Sequence, residues 1–152
     1  MATLEERVDV LENIEAIRRL KIEYAQACDD GYDQDRIAEC YTEDGVFDTG
    51  EFGRHEGRET IRELFTGQED VFQFALHNVL GHTVNVEPFA DTATGSVYLF
   101  QPCTVEGEAR WFAATYDEEY RKEDGKWRFS LSKLNVAFNT PYDKGWVEQR
   151  MA

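Results

Sequence analysis

Tyr24 and Asp29 lie five residues apart near the end of a long apolar-periodic stretch, and His77 sits in an apolar run, Phe74-Ala75-Leu76-His77-Asn78-Val79, where strand-like sequence begins. A carboxylate that orients an imidazole is the smallest acid/base device a protein can build, and an ordinary imidazole accepts a proton near neutral pH. Together the residue types point to removal of a proton from a bound molecule. Each also has a structural reading. His77 can be a core histidine bonded to backbone, Asp29 and Asp30 can be turn formers ahead of Gly31, and Tyr24 can be a core aromatic with its hydroxyl satisfied. An acid at a helix C-terminus meets the unfavourable end of the helix dipole, which favours a functional reading of the pair without deciding whether Asp29 or Asp30 faces inward. His82 carries the same ambiguity as His77, and His55, in a glycine-flanked polar loop, reads as exposed.

Lys133 is the one candidate cation. If the last strand is unbroken, Trp127, Phe129, Leu131, Lys133, Asn135 and Ala137 share one face. An unpaired ammonium beside Phe129 and Leu131 is costly, so either Lys133 and Asn135 line a pocket or a β-bulge turns both outward. Phe47, Phe72, Phe74, Trp111 and Phe129 are the candidate apolar walls of such a pocket, with Asn135 as a polar contact.

The elements that must position these residues follow from periodicity. Thr3 and Glu6 form a capping-box signature, and Val8, Leu11, Ile14, Ile17, Leu20, Tyr24 and Ala27 recur at three- and four-residue steps, predicting helix over roughly residues 4 to 30. Asp33 caps a short helix containing Ile37, Ala38 and Tyr41, a short strand follows at Val46-Phe47, and residues 57 to 65 form a helix ending at Gly67. From Phe74 to Phe138 the language is that of strands. Val84 and Val86 alternate with polar neighbours, and residues 94 to 101, 109 to 120 and 126 to 137 are rich in aromatic and β-branched types, with a hairpin signal at Asp124-Gly125. Helices first and an antiparallel meander after them describe one α+β domain over residues 1 to 152, with helices on one face of a curved sheet.

Composition removes several function classes. Against 16 basic residues stand 31 acidic ones, a formal net charge of −15, which repels nucleic acids and anionic membranes. Cys28, Cys40 and Cys103 include no C-x-x-C pair and read as buried hydrophobes. Three scattered histidines form no metal pattern, and no dinucleotide, Walker or nucleophile-elbow motif occurs, so chemistry without a cofactor or metal is expected. The acidic, capping-like N-terminus has no signal-peptide character, and no stretch could span a bilayer, so a soluble cytoplasmic protein is expected.

The order of elements, Tyr24-x4-Asp29 on the first helix, His77 at the start of the sheet, Tyr116-Asp117-x-Glu119-Tyr120-Arg121 leading into Asp124-Gly125-Lys126-Trp127-Arg128, and the turn Asp91-Thr92-Ala93-Thr94-Gly95 together resemble the SnoaL-like branch of the NTF2-like superfamily over nearly the whole chain. The resemblance implies a cone of helices and curved sheet around a pocket. It is nearest to scytalone dehydratases, bile-acid 7α-dehydratases and hexachlorocyclohexane dehydrochlorinases, which pair an aspartate on that helix with a histidine on that strand. It therefore implies a cofactor-independent lyase acting on a small hydrophobic cyclic substrate, in which His77 takes the proton, Asp29 orients it, Tyr24 binds substrate and Lys133 stabilises developing charge. A lysine where relatives often carry arginine is a departure that keeps the charge and loses the fork. The resemblance also implies a homotrimer, and a C-terminal segment, Phe138 to Trp146, that covers the pocket mouth or simply docks the terminus. An isomerase or cyclase, or a non-catalytic ligand-binding or oxygenase-subunit module, remains the alternative on the same fold.

Overall fold

The structure, a computed structural model, describes residues 1–152. Helix α1 (Leu4–Asp29) starts at the capping box, where Thr3 Oγ1 accepts from the Glu6 amide at 3.1 Å and Glu6 Oε2 accepts from the Thr3 amide at 2.6 Å. Its buried stripe, Ile17, Lys21, Tyr24 and Cys28, follows helical spacing, while Leu4, Val8, Leu11 and Ile22 are exposed. Helix α2 (Gln34–Glu39), capped by Asp33, ends before Tyr41, which opens strand β1 (Tyr41–Asp48) instead of closing the helix. A 3-10 turn (Gly50–Phe52), β2 (Arg54–Glu56), α3 (Arg58–Phe65) and the one-turn α4 (Gln68–Val71) complete the helical layer.

The rest is sheet: β3 (Phe72–Ala75), β4 (Asn78–Val86), β5 (Thr92–Val105), β6 (Glu108–Glu123) and β7 (Lys126–Pro141), followed by a short α5 (Gly145–Glu148). The strand order is β2-β1-β7-β6-β5-β3, with β4 also pairing with β5, and every pairing is antiparallel except β1 with β7. Helices packed on one face of a curved, mostly antiparallel sheet are the α+β architecture that the sequence predicts. No helix is long and apolar enough to cross a membrane.

The inward face of the sheet is organised in cross-strand rows. Ala93, Tyr120 and Phe129 form one row, Val97, Tyr116 and Leu134 another, Leu99, Ala114 and Val136 a third, and Gln101, Phe112 and Asn139 a fourth. Of the five register shifts in the sheet, three decide which expected site residues on β3 and β7 reach this face. In β7 the pairing skips Ser130 and again Ala137, and in β3 it skips Gln73. Each extra residue reverses the side-chain parity beyond it, because successive side chains of a strand point to opposite faces. The C-terminal segment docks along the sheet. Trp146 stacks on Phe138 with centroids 5.1 Å apart, the Asn139 amide donates to the Arg150 carbonyl at 3.0 Å, and no residue beyond Asn139 lines the pocket described below.

Candidate active site

The edge of β5 is shared by two strands. Ala75 of β3 pairs with Cys103 and Asn78 of β4 pairs with Phe100, leaving Leu76 and His77 at the crossing point between them. The His77 amide, released from the ladder there, donates to Asp29 Oδ1 at 2.8 Å, and the same oxygen lies 2.7 Å from His77 Nδ1. A carboxylate can only accept, so Nδ1 carries the proton, and Nε2 is the ring nitrogen left with a free lone pair. The His77 side chain is only 6 % exposed and lines a cavity of about 310 Å³. Asp29 holds one histidine by both backbone and ring, which fixes position, tautomer and orientation together.

The geometry at the end of α1 explains why Asp29 and not Asp30 faces inward. The chain turns back through Gly31 and Tyr32, both at positive φ, with the Tyr32 amide donating to the Cys28 carbonyl at 3.0 Å. Asp30 points outward to Arg36 Nη1 at 2.6 Å. A left-handed conformation is uncommon for a bulky residue, and at Tyr32 it brings the ring edge-on to His77, with centroids 5.8 Å apart, and stacked on Phe65. Sequence reading missed Tyr32; an aromatic directly after a helix-ending glycine is the signal it carried.

Tyr24 also lines the cavity, beside Tyr116 of β6. Burial, with the neighbouring Tyr116 and Cys28 adding to it, pushes the Tyr24 phenol well above its usual range, and Tyr116 is raised mainly by burial as well. Both hydroxyls therefore stay protonated donors across the physiological range. Phe47 and Phe72 form apolar wall, together with Leu99, Phe112, Leu134 and Val136. No lysine, arginine, aspartate or glutamate is in the lining. Burial lifts the thiols of Cys28 and Cys40, the latter to about 12, so neither is poised as a nucleophile. No three His, Cys, Asp or Glu side chains converge anywhere as a metal site requires.

Five expected site residues lie elsewhere. Lys133 and Asn135 point away from the pocket because the bulge at Ser130 moves Ser132, Leu134 and Val136 inward; Lys133 is exposed, and Asn135 Nδ2 donates to Asp117 Oδ2 at 2.9 Å on the outer surface. Phe74 is 53 % exposed, turned out by the bulge at Gln73. Trp111 is on the outward parity of β6 and stacks on Phe100 at 5.4 Å, so its neighbour Phe112 lines the pocket instead. Phe129 does face inward, but it is fully buried against Tyr24, Tyr41 and Tyr120 in the core below the cavity.

A second polar cluster lies deeper, on the other side of Tyr116. Lys21 Nζ is 2.5 Å from Glu118 Oε1 and 3.4 Å from the centroid of the Tyr116 ring. Glu118 Oε2 accepts from the Tyr120 hydroxyl at 2.5 Å, and His82 Nε2 lies 2.9 Å from that hydroxyl. Gly95 makes room for it, since a Cβ there would come within 3.1 Å of Tyr120. Burial holds the Lys21 ammonium below the usual lysine range while Glu118 pulls it back up, and burial likewise lowers the His82 imidazole against the pull of Glu118. A lysine on the helix stripe and a glutamate on the inward parity of β6 are both readable from sequence, and sequence reading passed over them.

A family model described as a SnoaL-like domain matches residues 9–133. No curated protein matches the chain. Among solved structures, the chain is similar to a candidate scytalone dehydratase from Novosphingobium aromaticivorans, with a TM-score of 0.81 and 18% identity over 90% of this chain and 91% of that one. It is also similar to the hexachlorocyclohexane dehydrochlorinase LinA-type3 from Novosphingobium barchaimii, with a TM-score of 0.79 and 20% identity over 89% of this chain and 93% of that one. A candidate aromatic ring hydroxylase from Novosphingobium aromaticivorans aligns with a TM-score of 0.78 and 27% identity over 86% of this chain and 94% of that one.

Proposed function

The chain belongs to the SnoaL-like family, and from that premise we propose that it is a cofactor-independent lyase that eliminates water or a halide from a small hydrophobic cyclic molecule. The observation that carries the reading is the 2.7 Å contact between Asp29 and His77 Nδ1 at the wall of a mostly apolar cavity that no lysine, arginine or other carboxylate lines. His77 Nε2 takes a proton from a carbon next to an electron-withdrawing group, and Asp29 stabilises the imidazolium that forms. The C–H electron pair becomes the new double bond as the leaving group departs with its own pair. In a dehydration the imidazolium returns its proton to the departing hydroxyl, which restores the resting state. Tyr24 donates to a substrate oxygen, in a site dry enough to strengthen that bond.

Screening against hydroxylated and halogenated cyclic compounds, with products identified by mass, tests the reading. Loss of water or hydrogen halide is the expected result, abolished in His77→Ala and Asp29→Asn with the fold retained. Solvent deuterium uptake without a mass loss would instead identify an isomerase, the alternative that uses the same base. The similarity to a candidate ring hydroxylase motivates a second reading, a non-catalytic subunit. The Asp29–His77 pair speaks against it, because a subunit without chemistry has no need of an oriented imidazole with an open nitrogen.

Two further proposals accompany the reaction. The outer face of the sheet leaves Leu80, Tyr98 and Trp146 largely exposed, and we propose that this face assembles a homotrimer, testable by light scattering on the purified protein. Three free buried cysteines suit a reducing compartment, and the proposed location is the cytoplasm.

A further inference from the structure

Gln101 places a carboxamide in the wall of the cavity. It is 5 % exposed, it lines the pocket, and no hydrogen bond within the protein satisfies its carboxamide. Its amide is not sealed in the core, where only the Tyr41 hydroxyl and Arg128 Nε lack a partner, but is open to the cavity and available to a ligand there. Several other polar lining groups carry bonds of their own. Thr49 Oγ1 donates to the Gly53 carbonyl at 2.9 Å, Gln68 Nε2 donates to the Leu64 carbonyl at 3.1 Å, and His77 Nδ1 is held by Asp29. Asn139 is half committed: its Oδ1 accepts from Arg110 Nε at 2.9 Å, which leaves its amide hydrogens free.

Position gives the carboxamide a purpose. Ala75 pairs with Cys103 and Asn78 with Phe100, which sets His77 alongside Gln101 across the β5 edge. Gln101 pairs with Phe112, and Phe112 with Asn139. One level of the sheet therefore carries, in order, the free imidazole nitrogen, an unpartnered carboxamide, an apolar ring and a second amide donor. Adjacent strands are about 4.8 Å apart, so Gln101 can reach a substituent one or two bonds from the carbon that His77 addresses. Lys133, the expected stabiliser of developing charge, is outside the pocket, and no other lysine and no arginine lines it.

We propose that Gln101, assisted by Asn139, binds a neutral oxygen function of the ligand, a ring carbonyl or hydroxyl, beside the carbon facing His77, and that the pocket selects uncharged ring ketones and alcohols over carboxylates and phosphates. The chemistry is that of a carboxamide. It donates to a carbonyl and accepts from a hydroxyl, and it strengthens its donated bond as an enolate oxygen develops, without the full charge that would recruit an anionic ligand. A mostly apolar cavity without lysine or arginine, in a chain of net charge −15, disfavours anions twice over, by desolvation and by long-range repulsion. The inference rests on the reading of this cavity as the substrate site and not on elimination itself.

The test is equilibrium binding by calorimetry with three probes: 1-tetralone, its deoxygenated counterpart tetralin, and 1,2,3,4-tetrahydro-1-naphthoate. Wild type and His77→Ala are expected to bind the ketone about tenfold or more tightly than tetralin, a difference of about 1.4 kcal/mol, and to bind the carboxylate weakest. Gln101→Met keeps the size and removes the amide, so the ketone preference should fall below about threefold while the fold is retained. An unchanged preference in folded Gln101→Met, tightest binding of the carboxylate, or no binding of either neutral probe to wild type would each overturn the proposal. Binding in His77→Ala is read without turnover, so a protein that discriminates the probes but eliminates nothing retains this inference and loses the proposed reaction.

Discussion

Two carboxylate–imidazole systems lie on opposite sides of Tyr116, and they differ in what they leave over. At the pocket, Asp29 binds His77 twice and one ring nitrogen stays open. In the core, Glu118 binds Lys21, Tyr120 and Ser132, Tyr120 reaches His82, and the chain of bonds closes without an open acceptor facing the cavity. The first arrangement has chemistry to offer because it is incomplete; the second has specificity to offer because it is complete. Burial separates them further. Glu118 and Lys21 are 0 and 1 % exposed, whereas the Asp29 side chain keeps 25 %. A low-dielectric, fully paired network is costly to disturb and fixes helix register against sheet, while a partly open pair tolerates the charge changes that proton transfer demands.

The largest effect expected from breaking this contrast is kinetic. Asp29→Asn should lower turnover by about four orders of magnitude, the scale associated with neutralising a carboxylate that orients an imidazole. Its denaturant midpoint should move little, since the amide can still accept from the His77 backbone. Comparing steady-state turnover with urea unfolding on the same preparation checks both halves. The deeper pair should behave in the opposite way: Glu118→Ala leaves the Lys21 ammonium buried alone and is expected to cost about 3–5 kcal/mol in urea unfolding. The double variant Lys21→Met/Glu118→Leu should recover most of that loss. If Glu118→Ala folds with near-native stability and loses activity instead, the division of labour between the clusters is wrong.

Tyr24 tests the boundary, because its ring packs on the core and the residue also lines the cavity. Tyr24→Phe should retain the fold and lose roughly a hundredfold in turnover, the scale of one donor to developing charge. A smaller acid-side effect belongs to His82. Its folded-state pKa is lowered by burial, so the unfolded chain binds the proton more readily, and stability that is full above an unfolded value of about 6.5 declines as the pH falls below it. Urea midpoints measured between neutral and mildly acidic pH should show that decline in wild type and a flatter profile in His82→Gln.

How much of this was legible depended on period. The helix stripe through Ile17, Tyr24 and Ala27, the capping box and the Asp124-Gly125 hairpin were readable because each is local, and the α+β architecture followed from the order of elements. The proximity of Asp29 and His77 came through resemblance, since no local rule brings a helix end to a strand crossing. The residues that went astray lie where a strand gains one residue or where parity was not applied. Gln101 carried a signal of its own, standing on the inward parity of Val97, Leu99 and Cys103, where an unpartnered glutamine is conspicuous on an apolar face. The bulges themselves have no sequence mark as strong as a glycine pair, because the extra residues are serine, alanine and glutamine.

Lys133 gives the sharpest measurement of that parity reversal, through the smallest effect. With its ammonium outside the sheet and opposite Asp117 across the ladder, Lys133→Ala should change stability by no more than about 0.5 kcal/mol and turnover by less than about twofold. Moving the charge one position tests the same geometry from the other side. Leu134 lines the cavity, so Leu134→Lys would bury an ammonium among Tyr116, Phe112 and Val136 and should either unfold the domain or empty the pocket of neutral ligands. An unbroken strand predicts the reverse, with Lys133→Ala crippling and Leu134→Lys silent. The pair of substitutions therefore reports whether Ser130 is the extra residue that sets the pocket wall, without requiring the substrate to be known.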